Sequence, residues 1–181
     1  MSTPENTSRY VTLLREQVGH ELDAHQQYVA IAVWFDANDL PQLAAHYYRQ
    51  ALEERNHAMM IVQHMLDRDI PAVIPGTSAV RNDFGSVTEP IALALAQERE
   101  VTTQIEAIFR AAREEGDALG EQFMLWFLKE QVEEVASATT LLAVAERAGG
   151  NLFDLENFVA RETIGDGGES ADAPAAAGGA L

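Results

Sequence analysis

Residues 41–67, PQLAAHYYRQALEERNHAMMIVQHMLD, decide the fold. Read at alternating three- and four-residue steps, they place Ala44, Tyr47, Ala51, Glu54, Ala58, Ile61 and Met65 on one face of a helix. That face is apolar except at Glu54, and His57 follows one turn later. Proline at position 41 suits a first helical turn, where its missing N–H has no intrahelical partner to lose. At 1.5 Å per residue the helix is about 40 Å long. A single helix with one apolar stripe is not stable alone, so it needs neighbours of similar length to pack against.

The rest of the chain supplies them, because a 3.6-residue period dominates from about residue 8 to 161 and no strand-like alternation persists. A first helix runs from Ser8 to Asp36 with an inward stripe of Val11, Leu14, Val18, Glu21, His25, Tyr28, Ala32 and Phe35. A third spans about Glu89 to Glu115 (Ile91, Ala94, Glu98, Val101, Ile105, Ile108, Ala112), closed by Gly116. A fourth spans Ala118 to Ala148 (Met124, Phe127, Gln131, Glu134, Ala138, Leu141, Ala145) and stops at Gly149-Gly150, as helices commonly do. Asn151 with Asp154 caps a short fifth helix reaching about Glu162. Two prolines and a glycine within residues 69–78 break the chain between the second and third helices, leaving a long irregular link. Short turns join the first two helices and the next two, so that link is a crossover running the length of a four-helix bundle. The expected class is all-α, with residues 8–162 as one domain. Residues 1–7 are an N-terminal extension, and 163–181, mostly Gly, Ala, Ser and acid, are expected to stay a flexible tail.

Composition narrows the chemistry. The chain has 181 residues, 12 Lys+Arg against 29 Asp+Glu, a net charge of −17 and no cysteine. So acidic a chain has nothing to neutralise a row of phosphates, which excludes a nucleic-acid partner. Without cysteine there are no disulfides, thiolate zinc sites, iron–sulfur clusters or thiol nucleophiles. No apolar run reaches membrane-spanning length, so no membrane partner is expected. The first ten residues lack a basic and an apolar region, and a cytoplasmic protein is expected.

Each apolar stripe is broken by a carboxylate: Glu21, Glu54, Glu98 and Glu134, with His57 one turn after Glu54 and Gln131 one turn before Glu134. One such acid is ordinarily an edge residue. Four at comparable depth on four helices are not, because burying an unpaired carboxylate costs several kcal/mol and clustered ones also repel each other. The basic residues nearest in sequence, Arg55, Arg99 and Lys129, lie beside the stripes and point elsewhere. A multivalent cation is the natural compensation, and hard oxygen donors with one imidazole suit iron or manganese.

At these residues the chain resembles the bacterial non-haem ferritins, particularly the actinobacterial type, over about residues 8–162. The matches are Glu21 with Tyr28, Glu53-Glu54-x-x-His57, Gln97-Glu98, and Trp126 followed by Glu130-Gln131-x-Glu133-Glu134. The resemblance implies a ferritin-like fold and a di-iron ferroxidase centre in every subunit. A first iron would bind Glu21, Glu54 and His57, with Glu54 bridging. A second would bind Glu98 and Glu134, with Gln131 beside it holding oxygen or solvent. Glu53, Glu130 and Glu133 match carboxylates that form a third iron site, and Tyr28 matches a tyrosine that supplies an electron. Bacterioferritins carry a second Glu-x-x-His on the fourth helix and a methionine after the bridging glutamate to ligate haem; here those positions hold Gln131 with Glu134, and Arg55, so no haem is expected. The family further implies a 24-subunit homo-oligomeric cage that takes Fe(II) with O2 or H2O2 as substrates and stores ferric oxyhydroxide.

Two other readings fit the same residues: a di-metal oxidase or peroxidase that stores no mineral, and a passive metal buffer. Among the remaining residues, His20, His46 and His64 are expected at the surface or rim. His25 is a candidate for contact with the centre. Glu114, Glu115, Asp117 and Glu121 read as a solvated acidic face or a cation entry path.

Overall fold

The computed structural model describes residues 8–162 and 172–181; the N-terminal extension 1–7, and 163–171 of the expected tail, lie outside these. The elements are α1 (Arg9–Ala37), α2 (Pro41–Asp67), α3 (Thr88–Glu114), α4 (Ala118–Ala148) and α5 (Leu152–Arg161), within one or two residues of the boundaries read from the sequence. The α1/α2 and α3/α4 hairpins pack through α1 against α3, and α5 lies across one end of α2 and α4. The four-helix bundle with a long crossover and a short fifth helix is thus the observed architecture.

Four of the five helix starts have an identifiable acceptor, while α3 begins at Val87 without a side-chain cap. Ser8 Oγ accepts from Val11 N–H at 3.1 Å, Asp117 from Gly120 N–H at 3.0 Å, and Asn151 from Asp154 N–H at 3.4 Å. The second helix has no side-chain cap of its own at Leu40. Its free N–H groups at Gln42 and Leu43 bond instead to the carboxylate of Glu156 from α5, at 2.9 and 3.0 Å. At the end of α4, Gly149 adopts φ 55°, the left-handed turn that glycine enters without strain.

The crossover is a strap bonded to α1 roughly once per helical turn. Arg15 Nε donates to the Pro71 carbonyl at 3.2 Å, and Asp23 accepts from Ser78 N–H and Oγ at 2.6 and 2.8 Å. Gln27 pairs both ways with the Arg81 backbone at 2.8 Å. Gly19 lies between these rungs, where a β-carbon would meet Pro75 Cγ at 3.1 Å.

The predicted stripes are buried throughout except at Val11, His25 and Ala138, which are partly exposed. They form two apolar clusters. One is built around Tyr28, Phe35, Tyr47, Ile91 and Leu141, the other around Tyr10, Leu14, Ile61, Ile105 and Phe127. The stripe carboxylates interrupt the helices between them.

One expectation changes. The last ten residues are seated on α2 rather than free. Ala177 N–H bonds the Met59 carbonyl at 3.0 Å, and Asn56 pairs with Leu181 N–H and C=O at 3.2 and 3.3 Å. Backbone bonds and small alanine contacts hold this segment, so its lack of large apolar side chains misled the reading. The apolar face of α5 is divided: Leu155 and Val159 are buried in the chain's own core, while Phe153 is 85% exposed.

Candidate metal centre

Six polar side chains meet midway along the bundle: Glu21 from α1, Glu54 and His57 from α2, Glu98 from α3, and Gln131 and Glu134 from α4, all between 0% and 7% exposed. Glu21, Glu54 and His57 present ligand atoms all within 4.8 Å of one another. His57 Nδ1 stands 3.6 Å from Glu54 Oε2 and 4.0 Å from Glu21 Oε2. Both of those carboxylate oxygens are buried without a hydrogen bond from the described residues. Unsatisfied buried acceptors are costly, and a cation answers that cost.

The other half is knitted by hydrogen bonds. Tyr28 donates its hydroxyl to Glu98 Oε1, the Gln131 amide donates to Glu98 Oε2 at 3.4 Å, and Thr102 Oγ1 donates to Gln131 Oε1 at 2.9 Å. Glu134 completes this side, coupled to Glu98 by charge.

Burial sets the electrostatics. It raises Glu21 and Glu54 well above the ordinary carboxylate range, with the facing carboxylates Glu54 and Glu98, respectively, adding to the rise. Glu98 is raised by burial against the opposing hydrogen bond from Tyr28. Glu134 is pushed up to about 8 by burial and by Glu98. Cations that bind the ion-free centre therefore compete with protons for these carboxylates.

The three outlying carboxylates are less gathered. Glu53 and Glu130 are half-buried and Glu133 is exposed. Gln50 donates to Glu53, and the charges of Glu53 and Glu130 both raise Glu134. Glu53 and Glu130 border the centre through Glu134, and Glu133 acts on Glu130.

His25 and His46 fall elsewhere than expected, and the remaining candidates have partners of their own. His25 Nδ1 donates to the Ala51 carbonyl at 2.6 Å, pinning α1 to α2 without touching the centre. His46 is buried edge-on to Tyr47 rather than at the surface. His64 is half-buried, stacked on Phe123 at 3.8 Å, and accepts from Tyr10 Oη at 2.9 Å. The acids near the α3/α4 turn are paired: Glu114 with Arg9, Asp117 with Arg68, Glu121 with Arg113, and Glu115 with the N-terminal turn of α1. Sequence reading missed Gln17, whose amide donates to Glu21 Oε1 at 2.8 Å, and Thr102. Both stand four residues from a stripe carboxylate, a spacing that puts them on the same helix face.

Comparison with known proteins finds ferritins. The model of the ferritin-like domain matches residues 11–148. Ferritin BfrB of Mycobacterium tuberculosis (strain CDC 1551) is 59% identical over 174 residues, covering 96% of either chain. A bacterial non-heme ferritin of Staphylococcus aureus (strain MRSA252) is 35% identical over 136 residues, 75% of this chain and 82% of that protein. Among solved structures, an open-pore ferritin from Archaeoglobus fulgidus superposes with a TM-score of 0.82 at 23% identity, over 87% of this chain and 98% of that one.

Proposed function

The chain belongs to the ferritin family, and from that premise we propose that it is an iron-storage ferritin with a ferroxidase centre in each subunit. It would act in the cytoplasm, oxidising Fe(II) with O2 or H2O2 and laying down ferric oxyhydroxide inside a 24-subunit shell. The observation that carries this reading is the buried meeting of four carboxylates and one imidazole, two of whose carboxylate oxygens have no donor among the described residues.

In this reading Fe(II) is substrate, and each residue has a task. Glu21, Glu54 and His57 receive the first ion. Glu54, whose carboxylate faces both Glu21 and Glu98, is placed to bridge to the second, held by Glu98 and Glu134. Two ions about 3.5–4 Å apart can give up electrons together to one oxidant. Carboxylates favour the ferric product and tolerate changes in coordination mode, so they bind substrate without trapping it. Tyr28, hydrogen-bonded to Glu98, would supply a further electron to the oxidant. Glu53, Glu130 and Glu133 are assigned to a third iron site beside Glu134. No haem is invoked: Arg55 follows Glu54, and its guanidinium bonds Asn56 Oδ1 at 3.2 Å.

Anaerobic Fe(II) titration and stopped-flow oxidation in air test the reading. Wild type should bind two Fe(II) per subunit tightly and oxidise them in a fast phase. Glu54→Ala should abolish that phase while the helices stay folded, since losing a buried acid relieves repulsion in the ion-free state, and His57→Ala should abolish it by removing the one imidazole of the close ligand trio. A fast phase unchanged in both variants refutes the assignment.

A further inference from the structure

The two halves of the centre differ in what already occupies their oxygens. On the Glu21/Glu54/His57 side, Glu21 Oε2 and Glu54 Oε2 are open. On the other side, Glu98 Oε1 takes the Tyr28 hydroxyl and Oε2 faces the Gln131 amide nitrogen, while Gln131 Oε1 takes Thr102. Thr102 stands one turn beyond Glu98 on α3, its Oγ1 2.8 Å from the Glu98 backbone carbonyl and 2.9 Å from Gln131 Oε1.

A threonine hydroxyl has one proton, and Thr102 has two acceptors in reach. Its donation to Gln131 Oε1 adds to the preference that Glu98 Oε2 sets for one of two amide orientations, the one that turns the N–H toward the carboxylate. Turned over, the Gln131 oxygen would face Glu98 Oε2, acceptor against acceptor in a buried site, an arrangement only a proton or a cation between them relieves. With Thr102 in place, the amide shows the centre its N–H and keeps its oxygen on the hydroxyl.

We infer that Thr102 is a positioning residue that latches the Gln131 amide as a hydrogen-bond donor toward Glu98, withholding the amide oxygen from the second metal ion. The inference rests on the iron-site reading above and adds to it that the Glu98/Glu134 half holds its ion more loosely than the Glu21/Glu54/His57 half. The second ion must break the Gln131–Glu98 bond, and it gains no amide oxygen in return. Weak holding suits a substrate ion that must move on once oxidised. Replacing the hydroxyl by a methyl group leaves Gln131 Oε1 a buried acceptor without its donor. That oxygen is then better satisfied by turning to a cation.

The test uses the full-length, metal-free protein and Co(II), which needs no oxygen chemistry, titrated anaerobically by calorimetry and by visible absorption. Wild type should bind two Co(II) per subunit, the second more weakly. In Thr102→Val the second binding should tighten about tenfold, the worth of one ordinary hydrogen bond, with the first unchanged. Thr102→Ser, which keeps the hydroxyl, should restore the wild-type second affinity. Crystals of the Co(II)-loaded Val variant should show Gln131 Oε1 on the second ion, and those of wild type should not. A second affinity that is unchanged or weaker in Thr102→Val, or one that shifts equally in Thr102→Ser, overturns the latch while leaving the iron site standing. Uptake of only one Co(II) by wild type overturns both the latch and the two-iron reading.

Discussion

At His64, burial first and the Arg68 guanidinium second push the imidazole pKa down from 6.5 to about 4. The folded chain thus prefers the neutral ring, whose Nε2 accepts from Tyr10 Oη. A base whose pKa is depressed on folding contributes stability that is intact above about 6.5 and lost as pH falls toward about 4. The melting temperature of metal-free protein should fall over that window, and His64→Gln should flatten the fall relative to wild type. Equal slopes in the two proteins would remove His64 as a cause. Glu130 is raised by burial and by Glu133, and its charge in turn raises Glu134, yet neither Glu130 nor Glu133 belongs to the close ligand trio. Glu130→Ala and Glu133→Ala should change the ratio of iron oxidised to oxygen consumed, measured with an oxygen electrode, while the first two Fe(II) still bind. Loss of the initial fast phase in either variant would contradict their assignment to a third site.

Between elements, the most informative contact is the one α5 makes with the start of α2. Glu156 supplies both the anion that a helix N-terminus favours and the acceptors that Gln42 and Leu43 N–H would otherwise lack. Leu155 and Val159 flank it in sequence and are buried in the bundle core, so cap and apolar contact act together. Glu156→Ala should lower stability by about 1 kcal/mol, the usual cost of losing a helix cap. It should also speed hydrogen exchange at Gln42 and Leu43 while leaving the middle of α2 protected. Unchanged exchange at the two amides would show that they are satisfied some other way.

For the whole molecule, the side of α5 turned away from the bundle is the clearest sign of assembly. Phe153 is 85% exposed and Leu152 36%, next to a core the same helix helps to fill. Leaving a phenylalanine so exposed on an ordered helix is uneconomical for a lone subunit and ordinary at a subunit contact. Sedimentation of the full-length chain at micromolar concentration should give a 24-mer. Truncation after Ala148 should weaken or disrupt it, removing α5 and the cap on α2 together. Truncation after Gly165 should leave the shell intact, because the segment seated on Asn56 and Met59 bonds its own chain. A stable full-length dimer would refute the cage, and storage with it.

The sequence by itself determined the helices, their order and the four stripe carboxylates, because these follow from local periodicity, capping residues and backbone breakers. Helix faces are written in three- and four-residue steps, so Glu21, Glu54, Glu98 and Glu134 could be placed at one depth before any packing was known. Only the tertiary structure decided what those acids meet. That the Gln131 amide is gripped by Thr102, that Glu21 is held by Gln17, and that Glu156 caps a helix 114 positions earlier in the chain are contacts between elements. So is the seating of a glycine- and alanine-rich tail on α2. Their energy comes from pairing donors with acceptors across space, and no local pattern records which donor will find which acceptor. Composition misjudged the tail for the same reason: it registers apolar side chains and is blind to the backbone bond between Ala177 and Met59.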